Sequence, residues 1–541
     1  MPRLNPDLIV FGIYLAVVTT VGFAASRRQK KADDYFLASR NLTWWLIGGS
    51  MIAANISTHH FIGMSGLAFD VGLAIASFEW MAALALILYA KFFLPYYLKT
   101  RITTMPEFLE RRFDHRVRLV YAIICLIGYI VIELAAVLYT GALAVNSIFG
   151  LRLEYGLLIF GLAGAYAIYG GFKSVAYTDI IQVTVLVAGG LLVTWLGLRQ
   201  VGRLAPGFGN GAWGGLQAIV AGAPEKFHMV RPWNDPELPW IGVFFGGLWL
   251  ANIFYWGCNQ FITQGSLSAR NVWHGQMGAV FAGFLKLLVP VLVVLPGIIA
   301  FRLYNPATGL LREACVLQKG DLAFPTLVKQ LLPAGCTGLV MAGLVGCVMS
   351  HIASMLAASS SIITFDIYKQ YFRKGGEDGN LVRVGRVATT LVLIVAVVVG
   401  FFLRDLKGIF IYIQKYWSIA YPSVCALFLA GFFYRRANAK GSLIAIIAGP
   451  VWALCFTLAE NLKWVPTVAF LTRAMIDFAF AWLILWVFRT RSPEVPAQAI
   501  VDRSFTPEVA EFVRSIPWWR SFRLWATVLV LCVLALYIRF F

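Results

Sequence analysis

Runs of about 17 to 25 apolar residues recur from one end of the chain to the other, each long enough to cross a hydrocarbon layer roughly 30 Å thick as a helix. Membrane-spanning β-strands would need only half that length. The pattern predicts an all-α polytopic membrane protein with about 14 transmembrane helices, at about 7–26, 44–63, 73–98, 119–147, 155–170, 177–198, 239–263, 274–302, 325–366, 384–403, 408–434, 441–460, 466–488 and 521–540. The longest polar connections, 199–238, 303–324 and 489–520, are too short for an independent core, so residues 1–541 read as one transmembrane domain. The last connection, with Pro493, Glu494, Pro496 and Pro507, reads as a cytoplasmic linker or surface helix. The first apolar run is too long for a signal peptide and lacks a small-residue cleavage site, so it reads as a retained span.

Two spans share an irregularity. Gly48-Gly49 precede Ala54-Asn55-Ile56-Ser57, and Gly246-Gly247 precede Ala251-Asn252-Ile253, each placing an Asn near mid-membrane depth. An amide without a partner there is expensive. Helix interruption at corresponding points of two halves marks inverted-repeat transporters, whose broken helices turn backbone groups toward ion and substrate. Ordinary close packing of small residues is the alternative. The repeat reading divides the chain into a leading helix and cytoplasmic loop (1–43), a first repeat (44–198), a second (239–434) and three additional helices (441–541), around a 5+5 core.

Composition sharpens this picture. The chain is 60% hydrophobic and 13% charged, against roughly a quarter charged in soluble domains, which excludes a water-soluble core. A net charge of +19 would suit nucleic acid, but the basic residues concentrate in loops on one side of the topology. Arg27-Arg28, Lys30-Lys31, Arg111-Arg112, Arg373-Lys374 and Arg435-Arg436 lead this positive-inside pattern. Both termini are therefore expected on the extracytoplasmic side of an inner or plasma membrane, with the lipid bilayer and no nucleic acid as partner; the oligomeric state stays open. The eight Cys residues show no metal-type spacing, and Cys315 and Cys336 flank an outward loop where they can pair if that compartment is oxidising.

Charges inside spans carry the chemistry, because each is costly at the bilayer centre and ordinarily faces a cavity or a partner. Glu79 and Lys286 have opposite signs on different spans and suggest a pair or a shared ligand, with a purely structural salt bridge as the alternative. A sugar site needs many hydroxyl partners and an aromatic face. Asn55, His60, Glu79, Asn252, Lys286 and Gln414 supply the polar groups, and Phe78, Tyr255, Trp256, Phe410 and Trp417 the aromatics. Glu133 and Asp179 are further intramembrane acids, the first without an assigned role and the second near enough to a span end to snorkel. Arg473 and Asp477, four apart on one helix, suit a structural bridge.

Several motifs carry a resemblance. Asp34-Tyr35-Phe36-Leu37-Ala38-Ser39-Arg40 with Trp44-Trp45, Ala53-Ala54-Asn55-Ile56-Ser57, and Phe61-Ile62-Gly63-Met64-Ser65-Gly66 resemble the sodium/solute symporter family. Met105-Pro106-Glu107-Phe108, Tyr169-Gly170-Gly171 through Thr178-Asp179, Leu285-Lys286 through Leu295-Pro296-Gly297, and Ser354 through Asp366-Ile367-Tyr368-Lys369 agree, and the resemblance is to the sodium/glucose cotransporter-like, sugar-transporting branch. It implies a broken-helix, leucine-transporter-like fold. It further implies sugar contacts from Asn55, His60, Glu79, Asn252, Lys286 and Gln414, an inner gate at Tyr255 beside Trp256, and an outer one at Phe410 and Phe78. Ala82 stands where a relative has Ser, removing at most one hydrogen bond. The coupling ion implied is Na⁺, held by the carbonyls of Ala53, Ile56 and Cys347 with Ser350 and His351. His351 replaces a hydroxyl, and imidazole suits a hard cation poorly.

The expected function is import of a hexose or related sugar by Na⁺ symport through alternating access. A non-transporting sugar sensor, and an H⁺-coupled or uncoupled carrier of a sugar, inositol or other small polar solute, are the alternatives. An enzyme is disfavoured, since no metal-cluster, nucleophile or nucleotide-loop motif occurs.

Overall fold

The computed structural model describes residues 6–26, 32–313, 315–372, 378–403, 409–491 and 516–541. Among them the architecture is helical throughout, with two isolated bridges, Leu42 to Ala269 and Arg231 to Pro239, as the sole β contacts. The basic pairs Arg27-Arg28, Lys30-Lys31 and Arg373-Lys374 and most of the expected linker at 489–520 lie outside the described residues.

Ten helices among the described residues are long and apolar enough to cross a membrane, or up to 11 if the pair Phe410–Trp417 and Tyr421–Phe433, bent by 53°, counts as one span. This is fewer than the 14 expected, and the differences have local causes. The expected span 44–63 divides into a helix Trp44–Asn55, an extended turn at Ile56, and a wider helical turn His59–Met64. The expected spans 155–170 and 177–198 lie on one helix, Leu153–Leu204. The expected span 325–366 separates into Ala323–Leu331 and Cys336–Ser361, because Pro333 cannot donate a helical hydrogen bond and Gly335 takes a positive φ of 88°. Cys315 and Cys336 are free thiols here.

The long helix Leu153–Leu204 packs along Cys336–Ser361, and Val272–Tyr304 packs along Trp44–Asn55 and Ser77–Leu88. The first seam buries Asp179 with Ser350, and the second Lys286 with Asn55 and Glu79. The first helix break falls where expected, at Ile56; in the second half the chain is interrupted twice, at Phe245-Gly246 between Trp240–Phe244 and Gly247–Ile253, and again at Asn259. Gly247–Ile253 continues through the π-type turn Phe254–Cys258, and the chain becomes extended at Asn259 before Gln260–Leu267 begins. Gly246-Gly247 also serves close packing. A Cβ on Gly247 would lie 2.0 Å from the Leu471 carbonyl oxygen, and one on Gly48 would lie 2.7 Å from that of Gly278. Both pairs let helix backbones approach closely, as small residues do in membranes.

Gly247→Ala is therefore expected to destabilise the protein by about 1–3 kcal/mol through overpacking against rigid backbone. Thermal unfolding of the detergent-purified chain checks it. Gly12→Ala, where a Cβ would meet nothing within 4 Å, should leave the midpoint in place.

The expected bridge between Arg473 and Asp477 is long, at 4.0 Å. Arg473 instead donates to Glu460 at 3.1 Å, to the Thr457 hydroxyl at 3.0 Å and to the Ser418 hydroxyl at 3.1 Å. It thereby ties two of the last helices to the bend between Trp417 and Tyr421.

Candidate functional site

The break after Asn55 determines the site. The last backbone hydrogen bond of Trp44–Asn55 runs from the Ile56 N–H to the Ile52 carbonyl, so the carbonyls that follow have no helical donor. The chain then resumes in a π-type turn that carries His59 and His60. Two more such turns, Gly128–Leu134 and Phe254–Cys258, present Glu133 and Tyr255-Trp256. Wide turns of this kind re-aim side chains and occur often at functional sites. Together with Ser77–Leu88, Val272–Tyr304 and the bent pair at 410–433, they line a cavity of about 70 Å³.

All ten residues expected as sugar contacts or gates, Asn55, His60, Glu79, Asn252, Lys286, Gln414, Phe78, Tyr255, Trp256 and Phe410, line this cavity, as does Ala82. Glu79 and Lys286 form a pair at 2.5 Å, both almost wholly buried. The Lys286 ammonium also donates to Asn55 Oδ1 and lies 5.2 Å from the centre of the Trp256 ring. The Asn55 amide in turn donates to the Tyr255 hydroxyl at 2.9 Å. His60 Nδ1 accepts from the Ser57 N–H at 3.3 Å, which leaves its proton on Nε2, 3.6 Å from Glu79 Oε1. Asn252 donates to the Leu248 carbonyl at 3.0 Å. Phe78 and Phe410 meet edge to face, 5.2 Å between centroids.

The charged pair is thus held by an amide, a phenol and an imidazole, each with spare hydrogen-bonding capacity toward the cavity. That is chemistry suited to a ring bearing several hydroxyls.

Sequence reasoning left seven cavity residues unassigned: His59, Glu133, Ala251, Phe254, Ile413, Trp417 and Tyr421, of which Trp417 was noted as an aromatic neighbour. Glu133 Oε2 accepts from the Trp417 indole at 2.7 Å, and its Oε1 lies 3.7 Å from His351 Nε2. An acid in an apolar span is a visible signal, but the sequence does not say which way that helix face turns.

The residues expected at the cation site lie on the first helix break and on Cys336–Ser361, which pack together. The break supplies carbonyl oxygens near Ala53 and Ile56, and the His351 ring lies beside the Ala54 carbonyl without a well-formed hydrogen bond. Cys347 donates its thiol to the Leu344 carbonyl at 3.0 Å, within its own helix. The Ser350 hydroxyl donates to Asp179 Oδ1 at 2.5 Å, and the Ser50 hydroxyl donates to Oδ2 at 2.6 Å. Asp179 is fully buried and does not snorkel, the possibility its place near a span end had left open. A carboxylate, serine hydroxyls and helix-end carbonyls are oxygen donors of the type a hard cation takes; His351 adds none.

A profile of the sodium:solute symporter family matches residues 35–449. The chain is 40% identical over 501 residues to a sodium/glucose cotransporter of Vibrio parahaemolyticus, covering 88% of this chain and 89% of that one. It is 32% identical over 464 residues to the human sodium/myo-inositol cotransporter 2, covering 82% of this chain and 68% of the relative. In structure it is similar to a Na⁺-coupled sialic acid symporter solved in a substrate-bound outward-open state, with a TM-score of 0.77 at 22% identity over 89% of this chain and 97% of that one. The fold is accordingly that of the broken-helix symporters, and this multi-pass membrane protein belongs to the sodium:solute symporter family.

Proposed function

We propose that the chain imports a hexose or related sugar by Na⁺ symport through alternating access, across an inner or plasma membrane with both termini outside. The observation that carries this reading is the Glu79–Lys286 pair, braced by Asn55 and facing a cavity with His60, Asn252 and Gln414 among aromatic walls. A buried pair of opposite charges offers strong donors and acceptors while keeping those two groups neutral overall, which suits hydroxyls better than a charged ligand. The sodium/glucose and sodium/myo-inositol relatives support the substrate class and the ion.

In this reading the two repeats, 44–198 and 239–434, rock about the cavity. Asn55, His60, Glu79, Asn252, Lys286 and Gln414 hold the sugar, Tyr255 with Trp256 closes the inner side, and Phe78 with Phe410 closes the outer. The cation binds at the break beside Ala53 and Ile56 with Ser350. Because Asn55 ends the same helix whose carbonyls face the cation, filling one site orders the wall of the other. Sugar and cation then raise each other's affinity by the same factor.

The test is uptake of labelled glucose and galactose into proteoliposomes with an inward Na⁺ gradient, an inward H⁺ gradient, or neither. Stimulation by Na⁺ is expected; equal accumulation in all three arms would remove the coupling. Gln414→Ala should raise KM by roughly tenfold, the loss of one or two hydrogen bonds at about 1 kcal/mol each. An unchanged KM would take Gln414 out of the site.

A further inference from the structure

The geometry points to Glu133 as a specificity-determining residue that favours a sugar bearing a protonated amine, an aminohexose, over its neutral hexose counterpart. This rests on the transport reading above and refines its substrate class.

Glu133 faces the same cavity as Glu79 but stands on a different element, the wide turn Gly128–Leu134. Two carboxylates, Glu79 and Glu133, and one ammonium, Lys286, therefore line the cavity, which leaves one carboxylate in excess. Lys286 cannot serve both, since it is committed to Glu79 and Asn55. Among the described residues no Lys or Arg pairs with Glu133, and its nearest basic group is the His351 ring at 3.7 Å, beyond hydrogen-bonding distance.

Its orientation is nonetheless fixed. The Trp417 indole N–H holds Oε2 at 2.7 Å, and Trp417 is itself buried at the bend beside Ser418, which Arg473 anchors. Oε1 is left as an acceptor without a strong donor. A carboxyl oxygen facing the cavity without a strong donor holds a ligand ammonium more tightly than a hydroxyl, because the charge-assisted hydrogen bond is the stronger one.

A different acid, Asp179, stands at Ser350 on the cation side, 2.5 Å from its hydroxyl. His59, the other group on the same wall, points its Nδ1 to the Ser57 hydroxyl and adds no charge when neutral.

The experiment is competition against labelled glucose uptake in proteoliposomes under a fixed Na⁺ gradient, using glucose and its 2-amino, 3-amino and 6-amino derivatives as unlabelled competitors. At least one amino derivative is expected to compete about tenfold better than glucose, the gain typical of a charge-assisted hydrogen bond. Glu133→Gln should abolish that preference and Glu133→Asp should keep part of it. Wild-type protein that prefers glucose to every amino derivative overturns the proposal, and so does a preference that survives in Glu133→Gln. Absence of any sugar uptake would sink the transport reading instead. In that case quenching of intrinsic tryptophan fluorescence by the same four sugars decides the Glu133 assignment directly: tighter binding of an amino derivative upholds it, and no such preference ends it.

Discussion

Glu79→Gln is expected to abolish sugar uptake and to lower the stability of the purified protein at the same time. Glu79 and Lys286 are almost wholly buried and 2.5 Å apart. Removing the carboxylate leaves Lys286 as an uncompensated buried charge, a loss of about 3–5 kcal/mol in comparable pairs. It also frees the ammonium from one of its two anchors, so that Asn55, and through it Tyr255, lose their fixed positions. A double variant separates the two effects. In Glu79→Gln/Lys286→Met no unpaired charge remains, so thermal stability should return toward wild type, since well-packed apolar replacements of buried pairs are often neutral or better. Uptake should not return, because the hydroxyl-binding groups are gone. Thermal unfolding and tracer uptake on the same preparations read both. Uptake that survives in either variant would reduce the pair to a scaffold bridge and move the sugar elsewhere in the cavity.

The residues of this site were legible because membranes make polar groups conspicuous. Glu79, Lys286, Asn55 and Asn252 stand out in apolar spans, and the energetic argument that they face a cavity needs no coordinates. The proposed aromatic gates come only from the resemblance, since Phe78 and Phe410 look like any other packing residues in the sequence; in the fold their rings meet at 5.2 Å. The direction of a helix face is not written in hydropathy. Glu133 and Asp179 are equally visible as intramembrane acids, yet one faces the cavity and the other sits between Ser50 and Ser350. Breaks were only half legible for a related reason. Gly246-Gly247 does mark an interruption, between Trp240–Phe244 and Gly247–Ile253, but no such pair marks the further one at Asn259. Among the described residues the helix bounds differ from the expected spans where a helix breaks within one apolar run, as at Ile56, or continues across two runs, as in Leu153–Leu204.

The cation side should respond to two substitutions in opposite directions. Asp179→Asn is expected to raise the Na⁺ concentration needed for half-maximal uptake by about tenfold or more, since a hydrogen bond to a charged group contributes about 1.5–3 kcal/mol. Beyond any attraction for a cation, Asp179 accepts from Ser50 on Trp44–Asn55 and from Ser350 on Cys336–Ser361 and so joins the two helices proposed to hold the ion. Losing its charge therefore weakens both the attraction and the geometry. His351→Ser is expected to lower the same Na⁺ concentration, because it places a hydroxyl oxygen beside the Ala54 carbonyl in place of an imidazole. The two sites are linked through Ser350, so their effects should not add in the double variant. Sugar uptake measured against Na⁺ concentration at fixed sugar gives all three values. If Asp179→Asn leaves the Na⁺ response where it was, the ion that drives transport does not depend on this helix junction. If His351→Ser alone leaves it unchanged, the break carbonyls and Ser350 suffice without that position, and the imidazole has a packing role against Phe261, 5.4 Å away.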